Sequence, residues 1–220
     1  MLNEFERLGL PGRRSLLGVF AASVWFTLGP ALGPAQAQSG DARQAISTLY
    51  AGLQTVMRMG PGTPFQQRFD RLTPVIDQVF DLDTILRSSV GLRWSSLDEK
   101  SRQTLFTVFR AFTIASYTAN FDNDSGEKLT VLPQTRTSGP DVIVETTLTP
   151  AKGDPVRIDY LMHGGAAGWN VVDVLLDGTI SRVAVQRSDF RSLLASGDPG
   201  QLVASLKRKV SDLSGGAMRL

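Results

Sequence analysis

The sequence predicts an α+β fold, with helices gathered on one face of an antiparallel sheet. Three observations carry this. Apolar residues recur with helical spacing up to about residue 121. At Asp122-Asn123-Asp124-Ser125-Gly126 the period changes to two-residue alternation, which runs as far as Asp177-Gly178. Helical spacing then returns.

The first 37 residues are expected to be an export segment outside the fold. Arg13-Arg14 precede an apolar run from Leu16 to Leu32, and Ala35-Gln36-Ala37 supplies a small-x-small cleavage site. Ser23, Thr27, Gly29 and Pro30 interrupt the run, unlike the ~20 unbroken apolar residues of a membrane span. We expect a cut after Ala37 and a mature protein outside the cytoplasm. Gly12-Arg13-Arg14-Ser15-Leu16-Leu17 also has the pattern of a twin-arginine signal, so both export routes stay open.

The mature part, 38–213, is expected to be one domain with a loose tail over 214–220. Losing Arg7, Arg13 and Arg14 together with Glu4 and Glu6 takes the formal charge from +2 to +1. The near balance, with no basic stripe interleaved with aromatics, argues against nucleic acid as a partner. Cysteine is absent, so thiol chemistry, disulfides and Cys-ligated metals are excluded.

Residues 38–122 read as mainly helical. Ile46, Leu49, Tyr50, Leu53, Val56 and Met57 form one face of a first helix that stops at Gly60-Pro61-Gly62. Phe65, Phe69, Leu72, Val75, Ile76 and Val79 mark a second helix over about 64–80, with a kink expected at Pro74. Asp81 or Asp83 can cap a short third helix that Gly91 ends. A long fourth helix spans 97–121, with Asp98 and Glu99 in its first turn and a wide apolar arc.

Residues 123–178 hold about four strands, at 127–133, 141–149, 155–162 and 168–176. Val142/Val144/Thr146/Leu148 and Val156/Ile158/Tyr160/Met162 alternate most cleanly. The stretches 150–154 and 163–168 carry hairpin-turn residues. Closing helices occupy 179–213. One is expected from about Ser188, and one opens at Asp198-Pro199 and carries Leu202, Leu206 and Val210.

Chemistry is sparse. The single histidine, His163, sits in the turn-like Met162-His163-Gly164-Gly165. Asp159 and Asp173 fall in adjacent strands, with Asp173 sharing the face of Trp169 and Val171 by alternation. These three are the only acid–base candidates, and a structural role for each is the simpler reading. No metal-ligand motif, phosphate loop or nucleophile elbow occurs, and no cofactor is expected. Apolar side chains dominate instead. A filled core and a lined cavity demand the same residue types, so periodicity leaves both open.

Several segments, each short, occur in the order of a known family. They are Pro64-Phe65-Gln66-Gln67-Arg68-Phe69, Phe80-Asp81-Leu82, Val90-Gly91-Leu92-Arg93-Trp94, Phe109-Arg110 through Tyr117, and Asn120-Phe121. Pro155-Val156-Arg157-Ile158-Asp159-Tyr160, Trp169-Asn170-Val171-Val172-Asp173-Val174, Asp177-Gly178-Thr179-Ile180-Ser181 and Arg187-Ser188-Asp189-Phe190 follow. Over residues 45–212 the chain resembles the MlaC and toluene-tolerance family of periplasmic lipid carriers, most of all its hopanoid-biosynthesis-associated HpnM branch.

The resemblance implies an NTF2-like curved sheet wrapped by helices, with an apolar cavity between the layers. It implies a non-enzymatic, monomeric shuttle in the periplasm, carrying phospholipid or hopanoid. Its partners would be an inner-membrane ABC lipid-transport complex and outer-membrane transfer machinery. Together with the alternation it places lipid against Phe106, Phe109, Phe112 and Tyr117 of the long helix. On the strands it places lipid against Val144, Leu148, Ile158, Tyr160, Met162, Trp169 and Val171. A charge at Phe109 or Tyr160 is expected to empty the cavity and leave the fold. Val172 replaces an aromatic usual in the family and is expected to alter the pocket. An NTF2-like isomerase or dehydratase, or a ligand-free envelope scaffold, are the alternatives.

Overall fold

Side-chain caps start three of the α-helices in the computed structural model, which describes residues 34–165 and 168–220. The expected export segment lies outside the described residues except for 34–37. Those four open helix α1 (Pro34–Met59), so the expected cut after Ala37 falls in its first turn. Helix α2 (Phe65–Val79) runs through Pro74, whose ring is solvent-exposed. Helix α3 (Leu82–Val90) starts where the Asp81 carboxylate accepts the Thr84 N–H, and ends at Gly91 with φ +67°. That backbone is cheap only for glycine. A 3-10 turn (Gly91–Ser96) leads to α4 (Glu99–Asn120), capped by Asp98 accepting the Ser101 N–H at 2.7 Å.

The sheet is a five-stranded antiparallel meander in sequence order. It comprises β1 (Lys128–Ser138), β2 (Asp141–Thr149), β3 (Val156–Gly165), β4 (Gly168–Leu176) and a two-residue β5 (Ile180–Ser181). Strand β1 is longer than expected, because an irregularity between Val131 and Thr135 absorbs Pro133 and lets pairing resume. Proline is tolerated there because β1 is an edge strand.

A second irregularity matters more. Leu161 pairs with Asp173, but the next residue, Met162, pairs with Val171, leaving Val172 as a bulge. The bulge reverses the phase of β4. Val171 and, beyond the bulge, Val174 and Leu176 share the inner face with Ile158, Tyr160 and Met162. Asp173 is therefore on the outer face with Asp159 and Leu161, not with Val171 as alternation suggested.

Helix α5 (Arg182–Leu193) begins six residues before the expected Ser188, because Ser181 Oγ accepts the Ala184 N–H at 2.9 Å. Its periodicity was faint because it fully buries only Val183 and Phe190. Helix α6 (Gly200–Leu213) buries Leu202, Leu206 and Val210. Pro199, not Asp198, precedes its first residue, and Asp198 instead accepts the Gly200 N–H. Beyond α6, where a loose tail was expected, Met218 is buried.

Helix α1 crosses the inner face of the sheet and supplies Ile46, Leu49 and Leu53. Leu72 and Ile76 of α2 complete a fully buried aliphatic layer with Val144, Met162 and Val171. Helix α4 packs on α6 and α2, and α3 packs on α5. Among the described residues no helix is long and apolar enough to cross a membrane.

Candidate functional site: a cavity between helix α4 and the sheet

Because α4 is seated on other helices, it stands off the strands, and a cavity of about 120 Å³ lies between them. One stripe of α4 forms a wall: Phe109, Phe112, Thr113, Ser116, Tyr117 and Asn120, spaced three and four apart. Ile158, Tyr160, Val174 and Leu176 of the inner sheet face it. Phe80, Leu82 and Ile85 close one end with Arg182, Val183 and Gln186 of α5.

Exposure orders this lining. Phe109, Ile158, Tyr160, Phe80 and Val183 are buried and form the floor. Phe112, Thr113, Ser116, Asn120, Arg182 and Gln186 are partly exposed and form the mouth. Rigid rings prop the space. Tyr117 lies 5.4 Å from Phe80 and stacks on Phe121 at 6.0 Å. Such contacts are worth about 1 kcal/mol each beyond burial.

Three tyrosine hydroxyls run inward from this wall. The Tyr160 phenol sits beside those of Tyr117 and Tyr50, and its ring meets the Tyr50 ring edge-on at 6.1 Å. Tyr50 donates to Thr146 Oγ1 at 2.6 Å, and Thr146 donates to the Ile158 carbonyl. Burial raises all three phenol pKa values above the ordinary range and keeps them neutral. For Tyr117 the neighbouring Tyr50 adds to the rise, and the Arg182 charge opposes it.

Of the residues expected to meet lipid, Phe109, Phe112, Tyr117, Ile158 and Tyr160 line the cavity. Val144, Met162 and Val171 share the inner face but are fully buried in the solid core. Phe106, Leu148 and Trp169 pack against the core outside the lining. Phe109 and Tyr160 are also almost completely buried, so a charge there would break the fold as well as empty the cavity. The bulged Val172 lines a groove on the outer face with His163 and Arg187, so its departure from the family pattern does not shape the cavity.

Val174 and Leu176 were missed because the bulge cannot be read from alternation. Thr113, Ser116 and Asn120 were missed because an apolar stripe was sought. The helical spacing of 109, 112, 113, 116, 117 and 120 would have found them. Phe80, Leu82, Ile85 and α5 reach the cavity only through tertiary packing.

The acid–base candidates do not converge. Asp159 is buried on the outer face, where Arg136 donates at 2.7 Å and Arg157 at 3.0 Å. Asp173 reaches the cavity edge, but its oxygens accept the Ser181 hydroxyl and the N–H groups of Val174 and Val183. His163 Nδ1 lies 2.6 Å from Asp141 on the exposed outer side. Among the described residues no cluster of three His, Asp or Glu could hold a metal. The cavity offers apolar burial with a polar mouth, and no general-acid or general-base pair inside it.

Comparison with known proteins agrees with this geometry. The phospholipid-binding protein from Ralstonia solanacearum, solved in complex with a phospholipid, has the same fold with a TM-score of 0.68. It is 22% identical, and the match covers 79% of this chain and 99% of that one. No curated protein matches. The MlaC protein family model matches residues 51–208, a span that contains every residue lining the cavity. This chain belongs to the MlaC family.

Proposed function

We propose that the protein is a lipid carrier of the bacterial envelope, holding acyl chains between α4 and the inner sheet face. The observation that carries this reading is the aromatic cavity, whose floor is apolar apart from the Tyr160 hydroxyl and whose partly exposed rim carries Thr113, Ser116, Asn120, Arg182 and Gln186. A two-chain phospholipid has ~30 methylenes at ~0.8 kcal/mol each, on the order of 24 kcal/mol to shield from water. Crossing an aqueous space with such cargo therefore requires enclosure.

The volume adds a condition. A cavity of about 150 Å³ holds a benzene ring, so about 120 Å³ accommodates only a segment of a chain. Loading must widen the space. The route lies under α4, whose main contacts are helices α6 and α2 rather than strands. The protein acts by burial and release and needs no catalytic group.

The same reading places the protein in the periplasm after export, as a monomer. It would receive or deliver lipid at an inner-membrane ABC transport complex and an outer-membrane acceptor. Phospholipid is the favoured cargo, since the Ralstonia solanacearum protein of the same fold was solved in complex with one. The HpnM assignment, and with it hopanoid, rests on short motifs alone.

Native mass spectrometry of the protein from its own envelope, with organic extraction of the bound lipid, tests the proposal. A stoichiometric phospholipid or hopanoid is the expected result and names the cargo. A bare mass, with no uptake from phospholipid vesicles, would overturn it.

A further inference from the structure

Six polar side chains other than tyrosine line the cavity, and four are already engaged. Thr113 and Ser116 donate to the carbonyls of Phe109 and Phe112. Gln186 Oε1 accepts from Ser89 at 3.0 Å. Asp173 accepts from three donors, which disperse its charge. The remaining two, Asn120 and Arg182, have no hydrogen bond or ion pair with any described residue.

Arg182 is the unusual one. A guanidinium drawn partly out of water normally finds an acceptor, as Arg110 does in Asp77 and the buried Arg68 does in the carbonyls of Thr63 and Thr118. Arg182 is partly buried in the lining of the aromatic cavity, and its charge opposes the rise of the Tyr117 phenol pKa. Its side chain lies on the rim of a cavity whose floor is apolar. An anion carried on an apolar tail matches both features at once.

We propose that Arg182, assisted by Asn120, is the head-group site of the cavity and takes the phosphate of an anionic acyl lipid. The guanidinium offers two parallel N–H donors to phosphate oxygens, and the Asn120 amide can donate a third bond. The tail then runs inward along Phe112, Phe109 and Ile158. The site fixes which end of the lipid leads at release, because the charged end stays at the mouth. This inference rests on the carrier reading.

The test compares two lipids with identical chains, dioleoyl phosphatidylglycerol and dioleoylglycerol, offered to delipidated full-length protein and followed by native mass spectrometry. The wild-type protein is expected to prefer the phosphatidylglycerol about tenfold, the scale of a charge-assisted hydrogen bond. Arg182→Gln should abolish that preference, and Arg182→Lys, which keeps the charge but loses the two parallel donors, should retain only part of it. An unchanged preference in Arg182→Gln overturns the head-group site while leaving the carrier reading standing. Failure of wild-type protein to take up either lipid overturns the carrier reading itself. Inorganic phosphate binding as tightly as the lipid would show a free-anion site and overturn the head-group assignment.

Discussion

Two regions of this domain use similar residues to opposite ends. Under α1 and α2, branched aliphatics meet the inner sheet face and leave no space: Ile46, Leu49, Leu53, Leu72 and Ile76 are completely buried. Under α4, rings and small polar residues face the same sheet and leave a hollow. The difference lies in what holds each helix. Helix α1 rests directly on the strands, and Gly52 lets α2 come so close that an added Cβ would lie 2.8 Å from Val75. Helix α4 rests on α6 and α2, so nothing pulls it onto β3 and β4. Flexible aliphatics could collapse into the gap, whereas stacked rings such as Tyr117 and Phe121 cannot.

If the regions differ in this way, mutations should separate them. The largest loss is expected for Leu72→Ala in the solid region, about 3 kcal/mol by denaturant unfolding. Next comes Gly52→Ala. It gains ~1 kcal/mol of helix propensity but overpacks the α1–α2 contact by up to ~3 kcal/mol, for a net loss of about 1 kcal/mol. A stabilised Gly52→Ala protein would show that the two helices can move apart freely.

Filling the hollow should behave differently. Ser116→Leu is expected to change stability by less than about 0.5 kcal/mol while lowering lipid uptake several-fold. Equal uptake at equal stability would mean that chains do not lie against α4. At neutral pH the smallest effect comes from the tyrosines. Their folded pKa values are raised, so the folded state holds its phenol protons more tightly than the unfolded chain. Their contribution is intact below the unfolded value near 10 and declines as pH climbs from there through the folded values. Thermal unfolding followed above pH 10 should therefore show a falling midpoint, with a shallower slope in Tyr117→Phe.

Much of the solid region was legible in the sequence, because it is built from regular periods. Ile46 to Met57 and Phe69 to Val79 advertise one helix face each, and Asp81, Gly91 and Asp98 mark the ends of α3 and the start of α4. The hollow was only half legible. Phe109, Phe112, Tyr117, Ile158 and Tyr160 stood out as aromatic or β-branched residues on regular elements. Val174 and Leu176 did not, because one bulged residue at Val172 inverts every side chain after it. Arg182 did not either: its importance lies in the ion pair it lacks, and only packing reveals that.

Lipid entry by parting α4 from the sheet is open to direct measurement. The absence of native cysteine makes a direct distance measurement simple. Spin labels on Thr107→Cys in α4 and Ala151→Cys in the β2–β3 turn, both exposed positions, report the gap by pulsed dipolar spectroscopy. The distance is expected to lengthen by about the width of an acyl chain on loading with phospholipid, and to return on delipidation. An identical distance in empty and stoichiometrically loaded protein would contradict it.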